Sequence, residues 1–135
     1  MLGIKNYEVT TSQLNELGSW SYEGIIGMEY MVNLDDWDSF HTTLELTFLV
    51  ELIKSSQRFK LKLKYYNVFN LTIKGATNIP LTNSLIIHDK KEEGWESSQR
   101  YHVHDDSGYG ENDGFNCINF YCSSIEAISL EDFYL

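Results

Sequence analysis

The chain has 135 residues, 42% hydrophobic and 14% aromatic, which fits one β-rich domain over residues 1–135 with a single core and excludes a disordered segment. Its formal charge of −10 argues against nucleic acid and anionic membrane surfaces as partners and favours a basic protein. No run approaches the roughly 18 apolar residues of a membrane span, and Met1-Leu2-Gly3-Ile4-Lys5 does not open a signal peptide, so a cytoplasmic location is expected.

Thr10 and Gln13 are spaced as a capping box before Leu14 and Leu17, and Gly18 follows as a stop, which predicts one short N-terminal helix. Tyr22 to Leu34 is apolar and aromatic, with Gly24 and Gly27 inside it, and suggests a strand interrupted by a bulge or a close backbone approach. In Trp37-Asp38-Ser39-Phe40-His41 the two aromatics are expected to pack on the sheet and pin the entry of the next strand, with His41 donating to a backbone carbonyl.

From Leu44 to Lys74 the pattern has period two. Leu44, Leu46, Phe48 and Val50 alternate with Glu45, Thr47, Leu49 and Glu51, and Phe59, Leu61, Leu63 and Tyr65 alternate with Arg58, Lys60, Lys62 and Lys64. A loop of Lys54, Ser55, Ser56 and Gln57 would set Phe48 opposite Leu63, Leu46 opposite Tyr65 and Glu51 opposite Lys60. Phe48, Val50, Leu61, Leu63, Phe69 and Leu71 are the expected core, and Lys60, Lys62 and Lys64 are expected to be exposed. Phe69, Leu71 and Ile73 keep the phase, as in one long ribbon kinked near Tyr66 and Asn67.

Leu85-Ile86-Ile87 is a short apolar strand, and Arg100 to His104 alternates again, with His102 and His104 on a solvated face. Phe115 to Leu130 forms the last β segment, with a phase shift at Ser123-Ser124 that reads as a bulge. The expected fold is therefore mainly β: an antiparallel, curled sheet or an open barrel or sandwich with one helix. Cys117 and Cys122 have neither metal-ligand nor redox spacing and are expected to be buried free thiols.

Residues 54 to 74 carry six bases and no acid, whereas the flanks 1–53 and 75–135 each carry −8. The lysine row is either a solvated face that discourages edge pairing or an anion-binding face. His88, His102, His104 and Glu111 would supply three nitrogens and a carboxylate to a metal of the cupin kind, but the spacing to the neighbouring glycines does not match, so no metal or cofactor is expected. Asp105, Asp106, Glu111 and Asp113 have the composition of a calcium loop without its ligand order. No nucleophile motif or glycine-rich phosphate loop is present, so binding is favoured over catalysis. The acidic segments around Trp95, with Glu92, Glu93 and Glu96, and from Asp105 to Asp113, with Asp106 and Glu111, are expected to meet a basic partner.

The order of Trp37 to Phe40-His41, Leu44, the two alternating strands, Tyr65 to Ile73, Ile86-Ile87, Gly94-Trp95, Tyr101-His102-Val103-His104-Asp105 and Phe120-Tyr121-Cys122-Ser123-Ser124-Ile125 resembles the Imm50-type immunity proteins over residues 35 to 128. These are small cytoplasmic bacterial proteins inferred to neutralise a cognate polymorphic toxin. The resemblance implies a non-enzymatic protein-binding role and brings no catalytic residues with it. The alternatives are a small-ligand or sugar-binding β-barrel module and a cupin-like metalloprotein.

Overall fold

The period-two stretch folds as two paired strands in the computed structural model, which describes residues 3–34, 37, 39–74, 79–80, 84–91, 100–106 and 117–134. These are β3 (Phe40–Leu52) and β4 (Arg58–Tyr66). They belong to a six-stranded sheet in the order β1-β10-β4-β3-β2-β6, with β1 (Ile4–Lys5), β2 (Trp20–Leu34), β6 (Ile79–Pro80) and β10 (Ser124–Asp132). A second sheet of four strands runs β5-β9-β8-β7, with β5 (Phe69–Ile73), β7 (Ile86–Asp89), β8 (Tyr101–His104) and β9 (Ile118–Cys122). Every pairing is antiparallel except that of β1 with β10. The fold is mainly β with one helix, and the described strands do not close into a barrel. That helix is not long and apolar enough to cross a membrane.

The two sheets share one core. Leu44, Leu46, Phe48, Val50, Leu61 and Leu63 from the first sheet join Val103, Ile118, Phe120 and Cys122 from the second, and the Tyr65 and Phe120 rings meet edge to face at 4.9 Å between centroids. Phe69 and Leu71, also expected in the core, are only half-buried, because β5 lies at the edge of the second sheet.

The β3–β4 register differs from the expected one by two residues. Glu51 faces Arg58, Phe48 faces Leu61 and Leu46 faces Leu63. The turn takes Ile53 as well, since Leu52 N–H donates to Gln57 O at 2.8 Å, Ser56 N–H donates to Leu52 O at 2.9 Å, and Ser56 adopts the left-handed conformation with φ 59°. A shift of two preserves parity, so the inside and outside faces survive and only the ion pairs change. Arg58 bridges Glu51 at 3.5 Å, and Lys60 turns to Glu131 of β10 at 3.6 Å. β4 is an interior strand between β10 and β3, so its lysines are half-buried and do not guard an edge of the finished sheet.

The helix α1 spans Tyr7–Leu17, so Thr10 lies inside it and there is no capping box. Asn6 in the left-handed conformation starts it without a side-chain cap, and Gly18 N–H closes it on Leu14 O. Tyr7, Thr11 and Leu14 form its buried stripe, and the Tyr7 and Tyr22 hydroxyls meet at 2.7 Å.

Of the four places where the chain passes between the described sheets, two lie side by side. At Asn67, with φ 55°, it leaves β4 for β5, so the expected single ribbon is two strands in different sheets. At Ser123 it returns from β9 to β10, so the phase shift there marks a crossing between sheets. The crossings are tied together: Ser123 N–H donates to Tyr66 O at 2.9 Å, and Asn67 Nδ2 donates to Ser123 Oγ at 2.8 Å.

Candidate functional site

β2 and β3 are longer than anything that covers them. β2 absorbs two register shifts, at Tyr22/Gly24 and Ile25/Gly27, where the expected bulges fall, and a Cβ on Gly27 would approach the Thr47 side chain to 3.1 Å. β4 reaches along β3 only as far as Thr43, and the chain then turns away, with Asn67 N–H donating to Thr42 O at 2.7 Å and Thr42 Oγ1 donating to Val68 O. Residues 31–34 and 40–42 therefore overhang as a two-stranded ribbon.

Residues directly opposite in an antiparallel pair share a face. Met28 lies opposite Leu46, Tyr30 opposite Leu44, Val32 opposite Thr42 and Leu34 opposite Phe40. The apolar stripe that is fully buried at Leu44 and Leu46 thus runs out into solvent along β2, where exposure rises from 41% at Met28 through 47% at Tyr30 and 55% at Val32 to 57% at Leu34. Phe40 is 75% exposed and Trp37 87%. The expectation that these two aromatics pack on the sheet is overturned, because the ribbon projects past the layer that would receive them. His41 Nδ1 lies 3.5 Å from Asn67 Oδ1.

The same segment is one-signed. Between Trp20 and Leu52 the sequence holds Glu23, Glu29, Asp35, Asp36, Asp38, Glu45 and Glu51 and no Lys or Arg. Glu29 lies directly opposite Glu45, an unfavourable like-charge pair on the outer face, and Lys64 is the next residue across the sheet from Glu45. Apolar residues at both parities of β2, among acids and without a base, were the available sequence signal for this surface.

Of the residues expected to meet a partner, Glu92, Glu93, Trp95, Glu96, Glu111 and Asp113 lie outside the described residues. Asp106 is exposed. Asp105 is not a surface charge: it is 8% exposed, and its Oδ1 accepts the Ile118 N–H at 3.0 Å, which fastens the end of β8 to β9.

The histidines do converge, and their expected solvated face is buried, His102 fully and His104 to 2% exposure. Register places Phe69, Tyr121, His102 and His88 in one row across the second sheet, with the His102 and Tyr121 rings stacked at 4.4 Å and Tyr121 and Phe69 at 5.5 Å. His104 Nδ1–H donates to the Asp105 carbonyl at 2.7 Å, so in the neutral ring Nε2 carries a lone pair. His88 Nε2 stands 2.9 Å from that atom, while the two ring centroids are 5.0 Å apart. The ring radii fill nearly all of the remaining distance, so the nitrogens point at one another. That geometry holds one proton, donated by His88 Nε2 to His104 Nε2. Nitrogens aimed head-on at one another do not direct two lone pairs to a common point beside them, as a shared metal ion requires. His102 Nε2–H donates to Asn119 Oδ1 at 2.8 Å and so is turned to a different partner. Among the described residues no group of three His, Cys, Asp or Glu side chains is set to hold a metal ion. Cys122 is buried, and burial pushes its thiol up to about 12; Cys117 is half-buried, and neither forms a disulfide.

No protein-family model matches the chain, and searches of characterised proteins and of solved structures find no significant relative.

Proposed function

We propose that this chain is a non-enzymatic binding protein that occupies and neutralises a basic protein partner. In its most specific form it is an immunity protein for a cognate bacterial toxin domain, acting in the cytoplasm, as the resemblance to the Imm50-type proteins implies. The observation that carries this reading is the overhanging β2–β3 ribbon, where an apolar stripe continuous with the core leaves cover in a segment that has seven acids and no Lys or Arg. Exposed aromatic and aliphatic side chains supply the desolvated centre of an interface, and surrounding carboxylates steer a basic partner and speed its approach. An acidic inhibitor of this kind also displaces nucleic acid from a basic nuclease surface.

Co-expression with the secreted-toxin domains encoded in the same genome tests the proposal. Cells should survive, the two proteins should co-purify at equal stoichiometry, and the association rate should fall steeply with salt. Cell death with no detectable complex overturns it.

A further inference from the structure

We propose that the partner is received as an added β-strand on the β2 edge from Tyr30 to Leu34, and that the strand it contributes alternates apolar with basic residues. The proposal rests on the reading of the chain as a binder of a basic protein and specifies where and how binding occurs.

Among the described residues the edge is open for a topological reason. β6 pairs with β2 at Gly24 and Ile25. Carried on in the same register, the chain preceding β6 would bring Lys74 opposite Tyr30, but Lys74 N–H is bound to Cys117 O in the second sheet. Among the described residues, β2 beyond Glu29 therefore has a ladder partner on its β3 side alone. Folded proteins normally blunt such an edge with lysine, proline or a short strand. Here Tyr30-Met31-Val32-Asn33-Leu34 has neither lysine nor proline and forms the end of a 15-residue strand.

The two faces of that edge specify the occupant. Tyr30, Val32 and Leu34 extend the core face, so alternate residues of an incoming strand meet apolar surface. On the opposite face the edge carries Met31 and Asn33, and Glu29 at its border is exposed and stands against Glu45, with Lys64 and Glu126 continuing the row. A basic residue added beside Glu29 offsets the like-charge pair, whereas an acidic one makes three acids in succession. A second copy of this chain fits less well, since each copy carries −10 and its ribbon offers no base. Strand addition takes its affinity from main-chain hydrogen bonds and its specificity from alternate side chains, the division seen on these faces.

The test uses two synthetic peptides, one alternating Val with Arg and one alternating Val with Glu, titrated into the full-length chain with backbone amide exchange read residue by residue. The Val/Arg peptide should bind at least about tenfold more tightly than the Val/Glu peptide, should slow exchange within residues 30–34, and should lose about tenfold in affinity in Glu29→Lys. Tight Val/Arg binding with protection elsewhere, and no effect of Glu29→Lys, overturns the strand-addition site while leaving the basic-partner reading intact. Equal affinity for both peptides, or none for either, removes the charge argument and with it that reading. Protection of residues 30–34 without peptide, rising with protein concentration, identifies a second copy as the occupant and overturns the proposal.

Discussion

Leu63 and Lys62 are neighbours in β4 and point to opposite faces. Leu63 is 3% exposed in the core, so Leu63→Ala should cost about 2–5 kcal/mol in denaturant unfolding, while Lys62→Ala should stay within about 0.5 kcal/mol. Equal small losses would mean that Leu63 is not packed in the core. Parity at this scale was legible because a side-chain period of two is a property of the extended backbone, whatever the register. The two-residue offset between Glu51 and Lys60 was not legible, since it depends on Ser56 taking a left-handed conformation that no composition rule assigns to serine. The burial of His102 and His104 was equally hidden. Alternation in Tyr101 to His104 marks one face as apolar and says nothing of whether the other is covered.

Elements separate what local pattern can reveal from what only assembly decides. The hairpin, the helix and the short β7, β8 and β9 strands each carry their own periodicity. The overhang of β2 and β3 exists only because β4 stops at Tyr66 and its chain crosses to the other sheet. Local sequence makes Trp37 and Phe40 strand-entry anchors, because aromatics usually find a layer beneath them. At the contact between β7 and β8, the head-on His88 and His104 nitrogens lead to a second prediction. Protein purified without an affinity tag should contain less than one equivalent of zinc, nickel, manganese or iron, and added zinc should not raise its melting temperature. A tightly held equivalent that disappears in His104→Ala would mean that the two rings rotate to share an ion.

Across the whole molecule, tyrosine hydroxyls set the alkaline limit. Tyr66 donates to Glu126 at 2.7 Å, and this bond, ahead of burial, pushes its phenol from 10.0 up to about 12. Burial raises Tyr22, Tyr65 and Tyr7 above their ordinary value as well. A phenol that ionises later in the folded chain than in the unfolded one contributes stability that is intact below pH 10.0 and is lost as pH rises through about 12. The buried Cys122 thiol, raised from 9.0 to about 12, acts in the same sense, so stability measured by urea unfolding should be flat up to about pH 8 and fall between about pH 9 and pH 12, with a smaller fall in Tyr66→Phe. A profile that stays level to pH 12 would place these hydroxyls in water. The acidic balance of the chain was plain in the sequence, but the concentration of exposed apolar surface on the ribbon emerged only from the arrangement of the sheets.

The position of β10 also orders events in time. It follows the other described strands of its sheet in the chain, yet it lies between β4 and β1 inside that six-stranded sheet. During synthesis, therefore, β2, β3 and β4 are complete while β4 still has an open side, and it stays open until the chain has emerged past Ser124. Lys60, Lys62 and Lys64 line one face of that temporary edge, where charge hinders pairing with another nascent chain. Changing all three to Thr should alter the equilibrium stability of the finished fold little, because exposed ion pairs such as Lys60 with Glu131 contribute about 0–1 kcal/mol. Refolding yield should drop as protein concentration rises, and a yield matching the wild type at every concentration would show that the edge needs no guard. The lysine row then acts on the folding chain: its charges protect a boundary that the native molecule no longer has.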